Sequence, residues 1–172
     1  MGVGREKHFT PFAVVRDVYR RALLASATAV SAASLAGCPA PPRGDDPTTV
    51  ADATVTFRRE YDGEIDGAET APNDVAAVRR QLGRAPPRLV VVGRLLAGSR
   101  RCYRVTLSEV TLDGDALRLR LAAEDDPDWD GDACPDVAEP HPYSVAVAFV
   151  EATVPERVVV RHEGETILAE QI

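Results

Sequence analysis

Lysine is almost missing from this chain: of 172 residues only Lys7 is one, so beyond it every strongly basic side chain is an arginine. Histidine is scarce too, and no His-x-x-x-His spacing occurs. Neither does a glycine-rich phosphate cradle, nor a nucleophile elbow around Ser99, Ser108 or Ser144. The cysteines, Cys38, Cys102 and Cys134, form no C-x-x-C unit, which argues against redox or zinc chemistry. There is no internal repeat. The run of small and apolar residues from Ala22 to Ala36 has 15 residues, too short at about 1.5 Å per residue to cross a hydrocarbon core of roughly 30 Å as a helix. These gaps remove the usual signatures of an enzyme, and no catalytic residues are expected. The alternative is an envelope hydrolase whose site goes unrecognised around His141 and His162.

The N-terminal segment is better defined. Arg5, Lys7, Arg16, Arg20 and Arg21 make a cationic stretch, followed by the small and mildly apolar run up to Ala36. That order is a signal peptide's. The stretch Tyr19-Arg20-Arg21-Ala22-Leu23-Leu24 resembles a twin-arginine export signal, which carries proteins already folded. Leu35-Ala36-Gly37-Cys38 resembles the lipobox of lipoprotein precursors, in which small residues admit the signal peptidase and the cysteine thiol takes a diacylglyceryl group. The reading is therefore a signal peptide over 1–37 and a lipid on Cys38, whose two acyl chains suffice for stable attachment. Its localisation would be the outer face of the cytoplasmic membrane. The competing reading is a buried N-terminal helix with a chance cysteine.

After Cys38, the residues Pro39, Pro41, Pro42, Gly44, Asp45, Asp46 and Pro47 cannot sustain regular structure, so 38–52 reads as an extended tether and 53–172 as one domain. The leader holds five of the 20 basic residues and two of the 27 acidic ones, leaving 15 against 25 and a net charge of −10. Such a surface repels phosphate backbones, so nucleic acid is not an expected partner, and membrane attachment needs the anchor. An acidic, lysine-free, alanine- and valine-rich chain resembles proteins of salt-loving archaea, where dense carboxylates keep the surface hydrated. A high-GC genome that encodes Arg in place of Lys gives the same balance.

In an oxidising exterior Cys102 and Cys134 are expected to pair, closing a loop of roughly 30 residues and contributing about 3 kcal/mol in the chain-entropy model. The alternative is two separate buried thiols.

Alternation of apolar and polar residues predicts a mainly β domain. Thr54 to Arg58 reads as a half-buried strand, with a turn at Tyr61-Asp62-Gly63. Asn73 can cap a short helix that places Val75, Val78 and Leu82 on one face and ends at Gly83. Leu89 to Val92 reads as a central strand covered on both faces. Tyr103, Val105 and Leu107 alternate, then the phase slips to Val110 and Leu112, predicting a bulge near Ser108-Glu109. Asp113-Gly114 turns the chain into Leu117, Leu119 and Leu121, with Arg118 and Arg120 opposite. Tyr143 to Phe149 is a further strand, and Arg157 to Arg161 pairs through Glu163-Gly164 with Thr166 to Leu168. About seven strands and one helix predict a small antiparallel β-sandwich or a partly open barrel.

From Leu89 to His162 the chain resembles the C-terminal domain of PrcB-like proteins, a small β module of exported lipoproteins associated with stabilising a protease complex. The resemblance rests on Tyr103-x-Val105-x-Leu107, the Leu112-Asp113-Gly114-Asp115-Ala116-Leu117 hairpin, Pro142-Tyr143-Ser144-Val145 and Val158-Val159-Val160. Cys102 stands where the family has glycine. The resemblance implies no catalytic residues.

Asp126, Asp128, Asp130 and Asp132, followed through D-x-D-x-D-G by Gly131, resemble the first half of a calcium loop. The twelfth position is Val137, where an EF-hand has glutamate. Ca²⁺ is thus one reading of this loop, as the only cofactor in view, and a solvated acidic loop is the other. His141, between two prolines, reads as a turn histidine, and His162 with Glu163 as an exposed pair. Arg100, Arg101, Arg104, Arg118 and Arg120 could share a face of the hairpin and bind an acidic partner, although with 25 carboxylates present pairing within the domain is the expected use. Taken together, the sequence predicts a non-enzymatic, lipid-anchored surface protein that binds a protein partner or supports an envelope complex. A Ca²⁺-binding module is an alternative.

Overall fold

The structure is a computed structural model that describes residues 46–66, 69 and 73–172. The export-signal residues Arg20, Arg21, Leu35, Ala36 and Gly37, and the lipidation site Cys38, lie outside the described residues.

Among the described residues, nine strands form two sheets that enclose one apolar core. The strands are β1 (Thr48–Val50), β2 (Ala53–Arg59), β3 (Val75–Gln81), β4 (Arg88–Ala97), β5 (Tyr103–Asp113), β6 (Ala116–Asp125), β7 (Glu139–Phe149), β8 (Arg157–His162) and β9 (Glu165–Gln171). The first sheet has the order β1-β2-β7-β4-β3 and is antiparallel throughout. The second has the order β5-β6-β8-β9, with β6 and β8 parallel and the other pairs antiparallel.

Period-two patterning builds the core. Val55 and Phe57 from β2, Leu89 and Val91 from β4, and Val145 and Val147 from β7 face Leu117, Leu119, Leu121, Val158 and Val160 of the second sheet. The bulge falls between Leu107 and Glu109, as the phase slip predicts, and it lets Val110 rejoin the core. At the other end of that hairpin, Gly114 takes a positive φ of 58°. The β8–β9 turn uses Glu163 and Gly164, both with positive φ.

Three expectations change. The segment expected to be a helix is strand β3, paired with β4 from Val75↔Arg94 to Gln81↔Arg88. Its residues alternate between two apolar environments. Ala76 and Val78 face the main core, whereas Val75 and Ala77 join Ile65 and Val92 in a smaller cluster on the outer face of the first sheet. Burial on both faces makes the alternation hard to see in sequence, and the Val75/Val78/Leu82 spacing then mimics a helix. No helix occurs among the described residues. Second, Thr48–Val50, expected to lie in the tether, form an edge strand that turns through Ala51 and Asp52, at φ 44° and 64°, into β2. Two consecutive positive φ values are what a tight two-residue hairpin requires. Third, the described residues form nine strands rather than about seven.

Candidate functional site

Cys102 and Cys134 are disulfide-bonded, with Cα atoms 5.9 Å apart and a sequence separation of 32, as expected from the oxidising-exterior reading. The bridge ties the start of β5 to the loop 126–138, which carries the aspartates. In that loop the Asp126 carboxylate accepts a hydrogen bond from the Asp128 backbone N–H at 3.0 Å and lies 3.8 Å from Arg104. Its main chain is held too: Asp126 N–H donates to the Cys102 carbonyl and Trp129 N–H to the Asp126 carbonyl. Arg101 lies over the Trp129 ring, 5.4 Å from its centroid. No three carboxylate, histidine or cysteine side chains among the described residues are grouped closely enough to hold a metal ion. Asp128, Asp130 and Asp132 are exposed, and Asp126 is drawn toward an arginine.

Both histidines differ from expectation. His141 is no turn residue. It lies within β7 opposite Leu95, is buried, and donates from Nε2 to the Gly98 carbonyl at 2.8 Å. His162 is only 2 % exposed, because it follows Val158 and Val160 in phase on the inward side of β8 while Arg157 and Arg161 point out. Its Nδ1 bonds the Asp74 carboxylate, and its Nε2 lies 2.7 Å from Tyr143 Oη.

With a neutral imidazole, Nδ1–H donates to Asp74 and Nε2 accepts from the Tyr143 hydroxyl. Burial first, and the charge of Asp74 second, hold the Tyr143 phenol far above its ordinary range, so it stays protonated. A nucleophile needs the reverse shift and access to substrate. Tyr143 is completely buried, and this Tyr-His-Asp chain links the two sheets. The parity of β7 and β8 marks Tyr143 and His162 as inward-facing in sequence but does not pair them. Asp74, on the approach to β3, gave no such signal.

The arginines do not gather on one face. Arg118 and Arg120 of β6 stand on the outer face of the second sheet, where the parallel register sets Arg120 beside Arg161. The three border a shallow depression of about 170 Å³. None of them is ion-paired among the described residues; of the arginines expected to pair within the domain, Arg100 and Arg104 meet Glu60 and Asp126, whereas Arg118 and Arg120 meet no carboxylate. Arg100 and Arg104 lie elsewhere, with Arg59 at one end of the sandwich, in a cleft of about 350 Å³ that Tyr103 and His141 also line.

Comparison with known proteins supplies no relative: no family model, curated protein or solved structure matches the chain.

Proposed function

We propose that this is a non-enzymatic, lipid-anchored protein of the outer face of the cytoplasmic membrane, exported through a twin-arginine signal. In this reading the β-sandwich binds an acidic protein partner on the outer face of its second sheet. One observation carries it: Arg118, Arg120 and Arg161 share a surface without ion pairs in a chain whose segment beyond residue 37 carries 25 acidic residues against 15 basic ones. Among the described residues Arg80, Arg100 and Arg104 each meet a carboxylate, and these three do not. Arg118, Arg120 and Arg161 together outweigh Glu109, which lines the same depression, and so present a net positive face to an equally acidic neighbour. The lipobox-like Leu35-Ala36-Gly37-Cys38 and the Pro-rich stretch after it support the anchor. The likeness of Leu89 to His162 to PrcB-like modules supports a place in an envelope complex.

The test starts from intact mass. Protein purified from membranes should begin at Cys38 and carry added lipid mass, absent in Cys38→Ser; an unmodified full-length chain would overturn the anchor. Chemical crosslinking on the same membranes should then join wild type to an acidic protein. Arg118→Glu with Arg120→Glu and Arg161→Glu should abolish that crosslink in a folded domain. A crosslink that survives the triple change would remove the arginine face from the reading.

A further inference from the structure

A second arginine cluster lies at the end of the sandwich, where the inner faces of the two sheets run out. Arg59 closes β2 on the inward side, opposite Tyr143, and its guanidinium is half-buried. Its Nε donates to the Val105 carbonyl of β5 at 3.0 Å, and its plane lies over the Phe57 ring, 5.8 Å from the centroid. No carboxylate lies within ion-pairing distance of it among the described residues. Arg104 is also poorly satisfied: its Nε is buried without any hydrogen-bond partner, and it meets Asp126 only at 3.8 Å. Arg100 reaches Glu60 at 3.4 Å on the exposed rim.

A guanidinium withdrawn from water without a counterion is costly, and its planar fork matches a carboxylate through two parallel hydrogen bonds. Three guanidiniums face two carboxylates, Glu60 and Asp126, in this cleft, which leaves one positive charge. That excess suits a monoanion. A phosphate dianion would be repelled by both acidic walls. The cleft volume of about 350 Å³ falls in the range of small-molecule sites, roughly 300–1,000 Å³.

The walls are also fixed in advance. Cys102 and Tyr103 N–H groups both donate to the Ser99 carbonyl, and Asp126 N–H donates to the Cys102 carbonyl. The disulfide at Cys102 therefore holds the backbone beside Arg104 and Asp126. Less ordering is then left for a ligand to impose.

We infer that this cleft is a binding site for a small monocarboxylate, with the carboxylate held by Arg59 and Arg104 and the rest of the molecule lying against Tyr103 and Pro142. The site is separate from the outer arginine face, and its function does not depend on the partner proposed there. The carboxylate can belong to a sugar acid or to a peptide C-terminus, and the chemistry required is the same.

The probes are glucuronate, N-acetyl-Gly-Gly, the amide of N-acetyl-Gly-Gly, and inorganic phosphate. They are titrated into the full-length chain at low ionic strength, with calorimetry and the arginine Nε–Hε NMR signals as readouts. At least one of the two carboxylates should bind saturably and shift the Arg59 and Arg104 signals, and the one that binds more tightly identifies the source. The amide should shift neither signal, and phosphate should bind at least tenfold more weakly. Arg104→Gln should weaken binding about tenfold or more with the fold intact by circular dichroism, and Arg84→Gln, at an exposed arginine that lines neither cluster, should leave it unchanged. Arg59→Gln, which could loosen the sandwich, is read only alongside Arg104→Gln. Absence of saturable binding by both carboxylates, equal binding of acid and amide, or tighter binding of phosphate would each overturn the assignment.

Discussion

The Tyr143 hydroxyl on β7 and the His162 imidazole on β8 meet at 2.7 Å, tying one sheet to the other through a buried hydrogen bond. Their rings pack edge to face, with centroids 5.5 Å apart. Both residues are almost wholly removed from water. Their polar atoms therefore depend on each other, and on Asp74 behind the imidazole, for partners that water cannot supply.

Stability should accordingly fall at high pH. The folded chain keeps the Tyr143 proton where the unfolded chain releases it, so above about pH 10 the folded state binds more protons. The contribution is complete below that pH and falls by about 1.4 kcal/mol per pH unit above it. Tyr143→Phe should lose this slope in urea unfolding measured between neutral and alkaline pH. At neutral pH it should cost about 1–3 kcal/mol, because His162 Nε2 loses its donor. An unchanged alkaline slope in the variant would contradict the assignment.

Gly93 is the register partner of Tyr143, and a Cβ there would sit 2.3 Å from Tyr143 Oη and 2.6 Å from the Val75 carbonyl. Gly93→Ala should destabilise the domain by about 1–3 kcal/mol. Combined with Tyr143→Phe, which deletes the closest of those atoms, the loss should be less than additive. A thermodynamic cycle with no coupling would show that the phenol is not what excludes a side chain at this position.

Removing the bridge as Cys102→Ser with Cys134→Ser should cost about 3 kcal/mol in denaturant unfolding under oxidising conditions. The fold should survive, because neither half of the cysteine pair belongs to the principal core cluster. A variant as stable as wild type would mean that closing the loop from Cys102 to Cys134 constrains the unfolded chain little.

The β1–β2 turn holds Ala51 at φ 44°, a conformation that burdens any residue with a Cβ. Ala51 is exposed, so Ala51→Gly removes no packing. It should stabilise the domain by about 0.5–1 kcal/mol, read as a raised denaturant midpoint with an unchanged slope. A lowered midpoint would show that glycine's greater freedom in the unfolded chain outweighs the relieved strain.

Much of the second sheet was legible in sequence because its β5–β6 hairpin alternates buried and more exposed residues. Leu117, Leu119 and Leu121 alternate with Arg118 and Arg120, and the slip at Ser108-Glu109 marks the bulge. The first sheet was harder to read. Val75 to Gln81 meets apolar neighbours on both faces near its start, so no polar face is left to reveal the period. Of the site residues, the cysteine pair followed from the cysteine count and an expected oxidising exterior. The cleft did not, since Arg59 and Arg104 come from different sheets and are 45 positions apart.

The sequence by itself determined the β class, the main hairpin and its bulge, and the cysteines available to pair, because each depends on neighbours within a few residues or on composition. Only the tertiary structure decided that β6 and β8 run parallel, that His162 is buried against Tyr143, and that the arginines separate into an outer face and an end cleft. Those outcomes depend on which strands share an edge and how the two sheets stack. Such choices are governed by burial summed over the whole core, and no local pattern encodes them.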